Sequence, residues 1–285
     1  MEYPFWINDF DRVGNKYTND YPLSKEIFKY PSSFWFGDNP KKPKKHMEGS
    51  IQRLIKRAEP QLPVFVIYNI PNRDVGQYSR GGARDREDYL EFIERFSRGI
   101  GDSNPIIIYE PDALPHSTLL DEEEQKWRLS LMKDALKYLT ENTNGTIYID
   151  VGHSNWLKPK QVAELLERVS NPKVKGFSIN SCNYQKTDEC IKWGKRICRM
   201  FSNSTFVIDT SRNGNGPSGD EWCNPKGRAL GTPPTTKTKH RMCDAYLWIK
   251  IPGESDGRCN GGPKAGKWWG EQAEELVKNF LKNEK

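Results

Sequence analysis

Four apolar residues run directly into a pair of acids in the segment Ile106-Ile107-Ile108-Tyr109-Glu110-Pro111-Asp112. The run is short and lacks polar residues at alternate positions, which is typical of a strand that is buried on both faces. Such strands belong to parallel sheets that are covered by helices. We therefore expect an α/β fold in which Glu110 and Asp112 follow the carboxyl end of a strand.

Similar apolar runs alternate along the chain with amphipathic stretches. The predicted strands are Phe34–Phe36, Val64–Ile70, Ile106–Tyr109, Thr146–Val151, Gly176–Asn180, Phe206–Thr210 and Ala245–Ile251. The predicted helices are Met47–Ala58, Arg86–Arg98, Glu122–Leu139, Pro159–Val169, Thr187–Phe201 and Lys267–Leu281. This alternation favours a closed or nearly closed parallel β/α barrel, and an open doubly wound sheet is the competing topology. The 285 residues suit one domain over residues 1–285.

Composition restricts the partners of the chain. The formal net charge is +6, but Lys and Arg are spread along the sequence except at Lys41–Lys45. We therefore expect no nucleic-acid partner, and polyanion binding by that cluster is a minor alternative. No apolar run approaches the ~20 residues that cross a bilayer, so no membrane partner is expected.

Six cysteines and glycosylation sequons at Asn144 and Asn203 favour secretion, and we expect a monomer.

Acids follow five of the predicted strands. They are Asp74, Glu110 with Asp112, Asp150, Asp209, and Glu254 with Asp256. One Asp at such a place commonly caps a helix or starts a turn, but five acidic loops at one edge of a barrel predict a site. Converging carboxylates raise one another's pKa, which keeps an acid protonated near neutral pH. Acid-base hydrolysis is therefore the leading class, since a nucleophilic serine elbow and a His-Glu-x-x-His helix are absent.

Aromatic residues lie among these acids. Trp35, Tyr68, Trp156 and Trp222 belong to a sequence with nine Trp in all. Each ring alone could belong to a core, but Trp222 lies in the long Gly-rich loop Asn213–Thr238, where a core position is hard to explain. Rings of this kind stack on the apolar faces of sugars, so acids and aromatics together point to a glycan.

Six ordered motifs resemble those of glycoside hydrolase family 6, whose members are inverting cellulases. They are Val66–Asp74, Ile107–Leu114, Asp150–Trp156, Asp209–Pro217, Glu221–Pro225 and Trp248–Gly257, and the resemblance covers nearly the whole chain from Phe34 onward. It implies a distorted seven-stranded parallel β/α barrel that hydrolyses β-1,4-glucan with inversion. No metal or organic cofactor is implied.

The resemblance also implies catalytic roles. Asp112 matches the general acid, and Asp74 matches the carboxylate that raises the pKa of that acid. Asp256 matches the proposed base, with activation of the water through a chain of solvent as the alternative. Tyr68 would help to distort the sugar ring. Acid and base in an inverting enzyme lie roughly 6.5–9.5 Å apart, which leaves room for a water.

Further residues are expected to bind the glucan. Sugar hydroxyls would bond to Asp150, His153, Asn180, Lys250 and Glu254, and stacking platforms would come from Trp35, Trp156 and Trp222.

Two departures from the family pattern concern the loop after Asp74. Val75 replaces a usual cysteine, so the disulfide normally made there is missing, and Arg80 stands where many relatives have a serine. A serine in this loop is thought to orient the catalytic water, which leaves Ser79 as a candidate that ranks below the aspartates.

The resemblance implies that the other usual disulfide joins Cys223 to Cys259. Four cysteines are then extra. We expect Cys182 and Cys190 to form a local pair, and Cys198 and Cys243 to be buried thiols.

Short loops around the expected site favour cleavage inside the polymer. Only Gly257–Ala265 lies between Asp256 and the last predicted helix, and the Ser79–Arg84 loop is also brief. We therefore expect an open groove and endoglucanase activity. The alternatives are a cellobiohydrolase of the same family and a glycan-binding pseudoenzyme.

Overall fold

A computed structural model describes residues 4–7, 18–37 and 46–283 of the chain. Seven strands occur in these ranges: β1 Phe34–Phe36, β2 Val64–Ile67, β3 Ile106–Tyr109, β4 Thr146–Asp150, β5 Gly176–Ile179, β6 Thr205–Asp209 and β7 Cys243–Leu247. The helices are α1 Met47–Ala58, α2 Arg86–Ile100, α3 Ala113–His116, α4 Glu122–Asn142, α5 Pro159–Val169, α6 Thr187–Met200 and α7 Gly270–Asn283. Short 3-10 helices cover Pro22–Lys29, Asp74–Gly76 and Ser117–Leu119. The Lys41–Lys45 cluster lies outside the described residues.

The strands form one parallel sheet in sequence order from β1 to β7. Its two edges approach each other without pairing as strands. The backbone N–H of Ser33 donates to Trp248 O at 3.1 Å, and Nε1 of Trp35 donates to Ile249 O at 2.9 Å. The sheet is thus a curled, incompletely closed barrel, which confirms the predicted barrel and excludes the doubly wound topology.

Several strands end earlier than the apolar runs suggest, and β2 shows the cause. The run continues to Ile70, but β2 ends at Ile67. The N–H of Tyr68 still donates to Phe36 O at 2.8 Å, whereas the N–H of Asn69 donates to the carboxylate of Glu110. A side chain therefore replaces the neighbouring strand as hydrogen-bond acceptor at this edge.

Alternate residues of each strand enter two different cores. Val66 and Ile108 belong to the interior of the curled sheet, whereas Phe65 and Ile107 pack with the surrounding helices. Both faces are therefore apolar, which is why the strands read as continuous hydrophobic runs. None of the described helices is both long and apolar enough to span a bilayer.

The long loop Asn213–Thr238 joins β6 to β7, as expected from the sequence. A disulfide between Cys223 and Cys259 ties it to the segment that follows β7. The side chain of Asn224 adds hydrogen bonds to Gly257 O at 2.9 Å and Cys259 O at 3.2 Å. These connections hold both segments at the carboxyl edge of the sheet.

Candidate active site

Several residues beyond the strand ends have left-handed backbone. The φ angles are 59° at Asp74, 44° at Val75, 49° at Glu110, 65° at Asp112 and 62° at Cys182. Side chains with a Cβ seldom adopt such angles, and for a β-branched residue such as Val75 the conformation is strained. Strain of this kind clusters at functional sites, so it marks the carboxyl edge of the sheet.

A groove crosses this edge and consists of two adjoining cavities of about 1160 and 330 Å³. Both are lined by Asp74, Gln77, Asp112, Asn183 and Trp222. Residues shared by two cavities lie where the cavities meet. A chain-like ligand in the groove would therefore have units on both sides of the Asp74 and Asp112 carboxyls.

The surroundings of Asp112 favour the protonated form of its carboxyl. Burial raises its pKa well above the ordinary value, and the negative charges of Asp150, Asp74 and Asp256 raise it further. A buried acid among like charges can donate a proton near neutral pH.

Asp150 lies beneath Asp112 and supports its backbone. One of its oxygens accepts from the N–H of Asp112 at 2.9 Å and of Gly152 at 3.0 Å, and the other accepts from the hydroxyls of Ser178 and Ser181. Burial raises the pKa of Asp150 to about 6, against the opposing effect of these hydrogen bonds. The side chain has no exposed surface, so the expected bond to a sugar hydroxyl is wrong for this structure.

Asn180 differs from its expected role for the same reason. Its Nδ2 donates to Asp209 O at 2.9 Å, and its Oδ1 accepts from the N–H of Gln185 at 3.0 Å. The side chain is fully buried and fastens the loop after β5 to β6. Asp209 is likewise buried and accepts from the N–H groups of Cys182 and Lys250 at 3.0 and 2.9 Å.

Asp74 lies in the loop after β2 and lines both cavities. Its Oδ2 accepts from the N–H of Ser79 at 2.7 Å, and burial raises its pKa against the effects of that bond and of Arg73. The guanidinium of Arg73 donates to Ser79 O and Tyr68 O, both at 2.8 Å. Ser79 and Tyr68 line the larger cavity beside it, so this part of the expected site assembles in one place.

Asp256 is surrounded by positive charge and hydrogen-bond donors. It forms a two-pronged ion pair with Arg212 at 2.9 and 3.0 Å, and Lys250 lies 3.8 Å from the same carboxylate. Tyr184 Oη and the N–H of Asn224 also donate to it, at 3.0 and 3.1 Å. Burial alone would raise its pKa, but the two cations outweigh burial and lower it. The carboxylate is therefore a firmly ionised group.

Arg212 and Tyr184 were not selected from the sequence. Both side chains are buried, and the guanidinium of Arg212 lies 4.5 Å from the centre of the Tyr184 ring. The sequence signal that could have identified Arg212 is its position in the Asp209–Pro217 motif, three residues after Asp209. A buried arginine is normally paired with a carboxylate, and the partner here is Asp256, which lies 44 residues further along the chain.

The larger cavity also contains two of the three expected aromatic platforms and two of the five polar residues that were expected to bind sugar hydroxyls. Trp35, Trp222, Lys250 and Glu254 line it. The ring of Trp35 meets that of Tyr68 edge to face, with centroids 5.3 Å apart. Burial raises the pKa of Glu254, against the effect of Lys250.

The smaller cavity contains Trp156 and His153 as expected, together with His116. The Trp156 ring contacts both imidazoles, with centroids 4.9 Å from His116 and 5.5 Å from His153. Burial lowers the pKa of each histidine to about 4, so both are neutral at physiological pH. The site thus offers uncharged donors and a flat ring on this side of Asp112.

The cysteines agree with the sequence expectation only in part. The Cys223–Cys259 disulfide is present, but Cys182 and Cys190, both among the described residues, are free. Cys190 is buried on α6, where its thiol faces Gln185 O at 3.8 Å, whereas Cys182 lines the larger cavity. Local sequence spacing did not predict that the two side chains would enter different environments.

Known proteins match this chain over most of its length. The sequence profile of Glycosyl hydrolases family 6 matches residues 10–280. Endoglucanase A from Cellulomonas fimi is 41% identical over 262 residues, which cover 91% of this chain and 57% of that protein. Endoglucanase 1 from Streptomyces sp. (strain KSM-9) is 37% identical over 250 residues, which cover 84% of this chain and 67% of that protein.

Solved structures agree with the sequence matches. The endoglucanase Cel6 from Mycobacterium tuberculosis, solved in complex with methyl-cellobiosyl-4-deoxy-4-thio-β-D-cellobioside, superimposes with a TM-score of 0.91 at 38% identity. The superposition covers 97% of each chain. The fold, the carboxyl-lined groove and these matches together show that the chain belongs to glycosyl hydrolases family 6.

Proposed function

We propose that this protein hydrolyses internal β-1,4-glucosidic bonds of cellulose or a related β-glucan with inversion at the anomeric carbon. The observation that carries the proposal is the position of Asp112 at the junction of the two cavities, among the carboxylates that raise its pKa. The endoglucanase names of the relatives and the thio-oligosaccharide bound by the Mycobacterium tuberculosis enzyme support the substrate class.

In the proposed reaction, Asp112 donates its proton to the glycosidic oxygen as the bond to the anomeric carbon breaks. A water attacks that carbon from the opposite face and forms the new C–O bond. The negative charge of Asp74 stabilises the positive charge that develops on the sugar ring. Tyr68 and Trp35 hold the ring at the cleavage point from the side of the larger cavity.

The surroundings of Asp256 bear on how the water loses its proton. An oxygen that already accepts from Arg212, Tyr184 and Asn224 has little capacity for another proton, and a lowered pKa makes the carboxylate a weak base. This favours transfer of the proton to a chain of solvent, with Asp256 orienting that chain. Ser79, whose N–H donates to Asp74, would bind a water of this chain.

An endo mode is distinguished from an exo mode by the viscosity of a soluble cellulose derivative. We expect viscosity to fall steeply before many reducing ends accumulate, because cuts inside a polymer shorten it fastest. A steady release of reducing ends at nearly constant viscosity would instead identify a cellobiohydrolase. Proton NMR of the first products should show the α-anomer.

The pseudoenzyme alternative is decided by turnover of the wild type beside Asp112→Ala. Hydrolysis of cello-oligosaccharides by the wild type and its loss in the variant are expected. If neither protein turns over while both bind, the chain is a glycan-binding protein.

We also propose that the protein is secreted and monomeric. The disulfide requires an oxidising compartment, and the sequon residues Asn144 and Asn203 are both exposed. Mass spectrometry of glycopeptides from a eukaryotic secretory host tests whether both sites are accessible, and light scattering tests the mass in solution.

A further inference from the structure

A third depression, of about 790 Å³, lies outside the groove, behind the loop that carries Asp74. Pro71 and Asn72 form one side of it, Leu120 and Trp127 another, and the buried Arg128 its floor. Most of its rim is exposed to solvent. None of the catalytic steps proposed above uses these side chains.

Trp127 is the unusual residue of this depression. It lies in the second turn of α4, and its ring is 42% exposed, close to the 41% of Trp222 in the groove. The neighbouring Leu129 and Met132 supply the buried face of the helix, so the fold does not require an aromatic residue at position 127. A large ring left in water loses the free energy that burial would provide, and exposed aromatics are enriched at binding sites.

The rim around Trp127 carries hydrogen-bonding groups of both kinds. Glu123 and Glu124 supply carboxylate acceptors, and Arg84 supplies donors. In the floor, Arg128 donates through Nη2 to Pro71 O at 3.1 Å and to Asn72 O at 2.9 Å, and its Nε and Nη1 have no partner among the described residues. A flat ring with acceptors and donors at its edge matches a pyranose, which has apolar C–H faces and a rim of hydroxyls.

The depression adjoins the groove through consecutive residues. Leu119 lines the smaller cavity and is 60% exposed, whereas Leu120 lines the depression. On the other side, Asn72 is separated from Asp74 only by Arg73. The depression therefore neighbours the Leu119 wall of the smaller cavity, within reach of a polymer that extends beyond that wall.

We propose that the depression around Trp127 is a secondary binding site for β-1,4-glucan, separate from the groove, which holds a polymer against the enzyme beside the point of cleavage. The identity of the ligand rests on the proposed function. The site adds affinity for long or insoluble glucan and plays no part in the chemistry.

The test measures adsorption of the 285-residue chain to insoluble cellulose in the Asp112→Asn background, where the polymer is not degraded. Trp127→Ala should lower the partition coefficient about two- to ten-fold, the value of one aromatic contact. Trp127→Phe should keep most of the adsorption because a ring remains. Met200→Ala removes another exposed apolar side chain, at the end of α6, and should adsorb like its parent.

The inference would be overturned if Trp127→Ala adsorbed as well as its parent. It would also be overturned if Trp127→Phe or Met200→Ala lost as much adsorption as Trp127→Ala. Thermal melting followed by circular dichroism checks that each variant is folded. Hydrolysis of cello-oligosaccharides by the wild type is measured separately. Its absence would remove the proposed function, whereas unchanged adsorption in an active enzyme would remove only the secondary site.

Discussion

At the scale of single residues, the site separates two aspartates by their surroundings. Desolvation and three nearby carboxylates raise the pKa of Asp112, whereas Arg212 and Lys250 outweigh the effect of burial and lower the pKa of Asp256. The same side chain therefore favours the protonated form in one place and the ionised form in the other, as the proposed roles require. Pairs of acids whose pKa values are driven apart are typical of acid-base catalysis.

Replacement of Asp112 by Asn should remove the proton donor and keep the shape of the groove. We expect kcat to fall by at least about 10²–10⁴-fold, the usual contribution of general acid catalysis, with little change in oligosaccharide affinity. Initial rates on a defined cello-oligosaccharide and titration calorimetry measure the two quantities. Asp102→Asn, at an exposed position, is the control. Full activity of Asp112→Asn would exclude this residue as the acid.

Asp74→Asn should move the alkaline limb of the pH profile of kcat/KM to lower pH. In the proposed reaction Asp112 must be protonated to act, and the negative charge of Asp74 helps to raise its pKa. Removing that charge lowers the pKa of Asp112, although burial and Asp150 still keep it above the ordinary value. Asp220 lines the smaller cavity but does not contribute to the pKa shift of Asp112, so it provides the control. The alkaline limb of the Asp220→Asn variant should stay in place. An unmoved limb in Asp74→Asn would contradict the proposed coupling.

At the scale of structural elements, the site depends on segments that follow the strands. The loop after β2 carries Asp74, and the carboxylate of Glu110 after β3 holds the start of that loop through the N–H of Asn69 at 3.0 and 3.1 Å. Tyr89 on α2 donates to Glu110 at 2.8 Å, and burial raises the pKa of Glu110 to about 7. The acids of neighbouring strands are thus positioned by one another.

The Cys223–Cys259 disulfide should stabilise the protein through the two segments it joins. It closes a loop with a sequence separation of 36, which limits the unfolded chain and predicts a loss of about 3–4 kcal/mol in the Cys223→Ser, Cys259→Ser variant. Urea unfolding of the wild type and the variant, with and without reductant, measures the difference. Reduced wild type should match the variant. Identical midpoints for oxidised and reduced wild type would show that the bridge adds no stability.

At the scale of the whole molecule, the carboxyl edge concentrates groups that resist ionisation. Among the described residues, raised pKa values occur at Asp74, Glu110, Asp112, Asp150, Asp209 and Glu254. At low pH such a group is protonated in both the folded and the unfolded chain, and it does not lower the free energy of unfolding. As pH rises, the unfolded chain ionises first, and stability is lost until the folded pKa is passed.

The free energy of unfolding should therefore fall from pH 5 to pH 8, by about 1.4 kcal/mol for each unit of raised pKa that lies in this window. His116 and His153, whose pKa values are lowered to about 4, oppose the trend below pH 6.5, but the carboxyls outnumber them. Urea unfolding at unit pH steps measures the slope. Asp112→Asn should show a shallower slope, and stability that rises toward pH 8 would contradict the account.

The architecture could be predicted from the sequence because it depends on local periodicity. Continuous apolar runs such as Ile106–Tyr109 require burial on both faces, which a helix-covered parallel sheet provides. The positions of Asp74 and Asp112 at the edge followed from the same argument, because carboxyl ends of parallel strands meet. Strand ends were less predictable, as at Ile67, because a distant carboxylate ends the hydrogen-bonded ladder there.

The sequence by itself determined the helix-covered parallel sheet, the family pattern and the set of acids at the strand ends, and the strand contacts of the folded chain then excluded the doubly wound topology. Only the tertiary structure decided which acids face the groove, which lie under it, and which cysteines pair. Asp112 and Asp150 have the same side chain after neighbouring strands, yet one lines the cavity and the other is enclosed by Ser178 and Ser181. Burial and charge at a residue depend on neighbours that are far away in the chain, so a pKa cannot be read from local sequence.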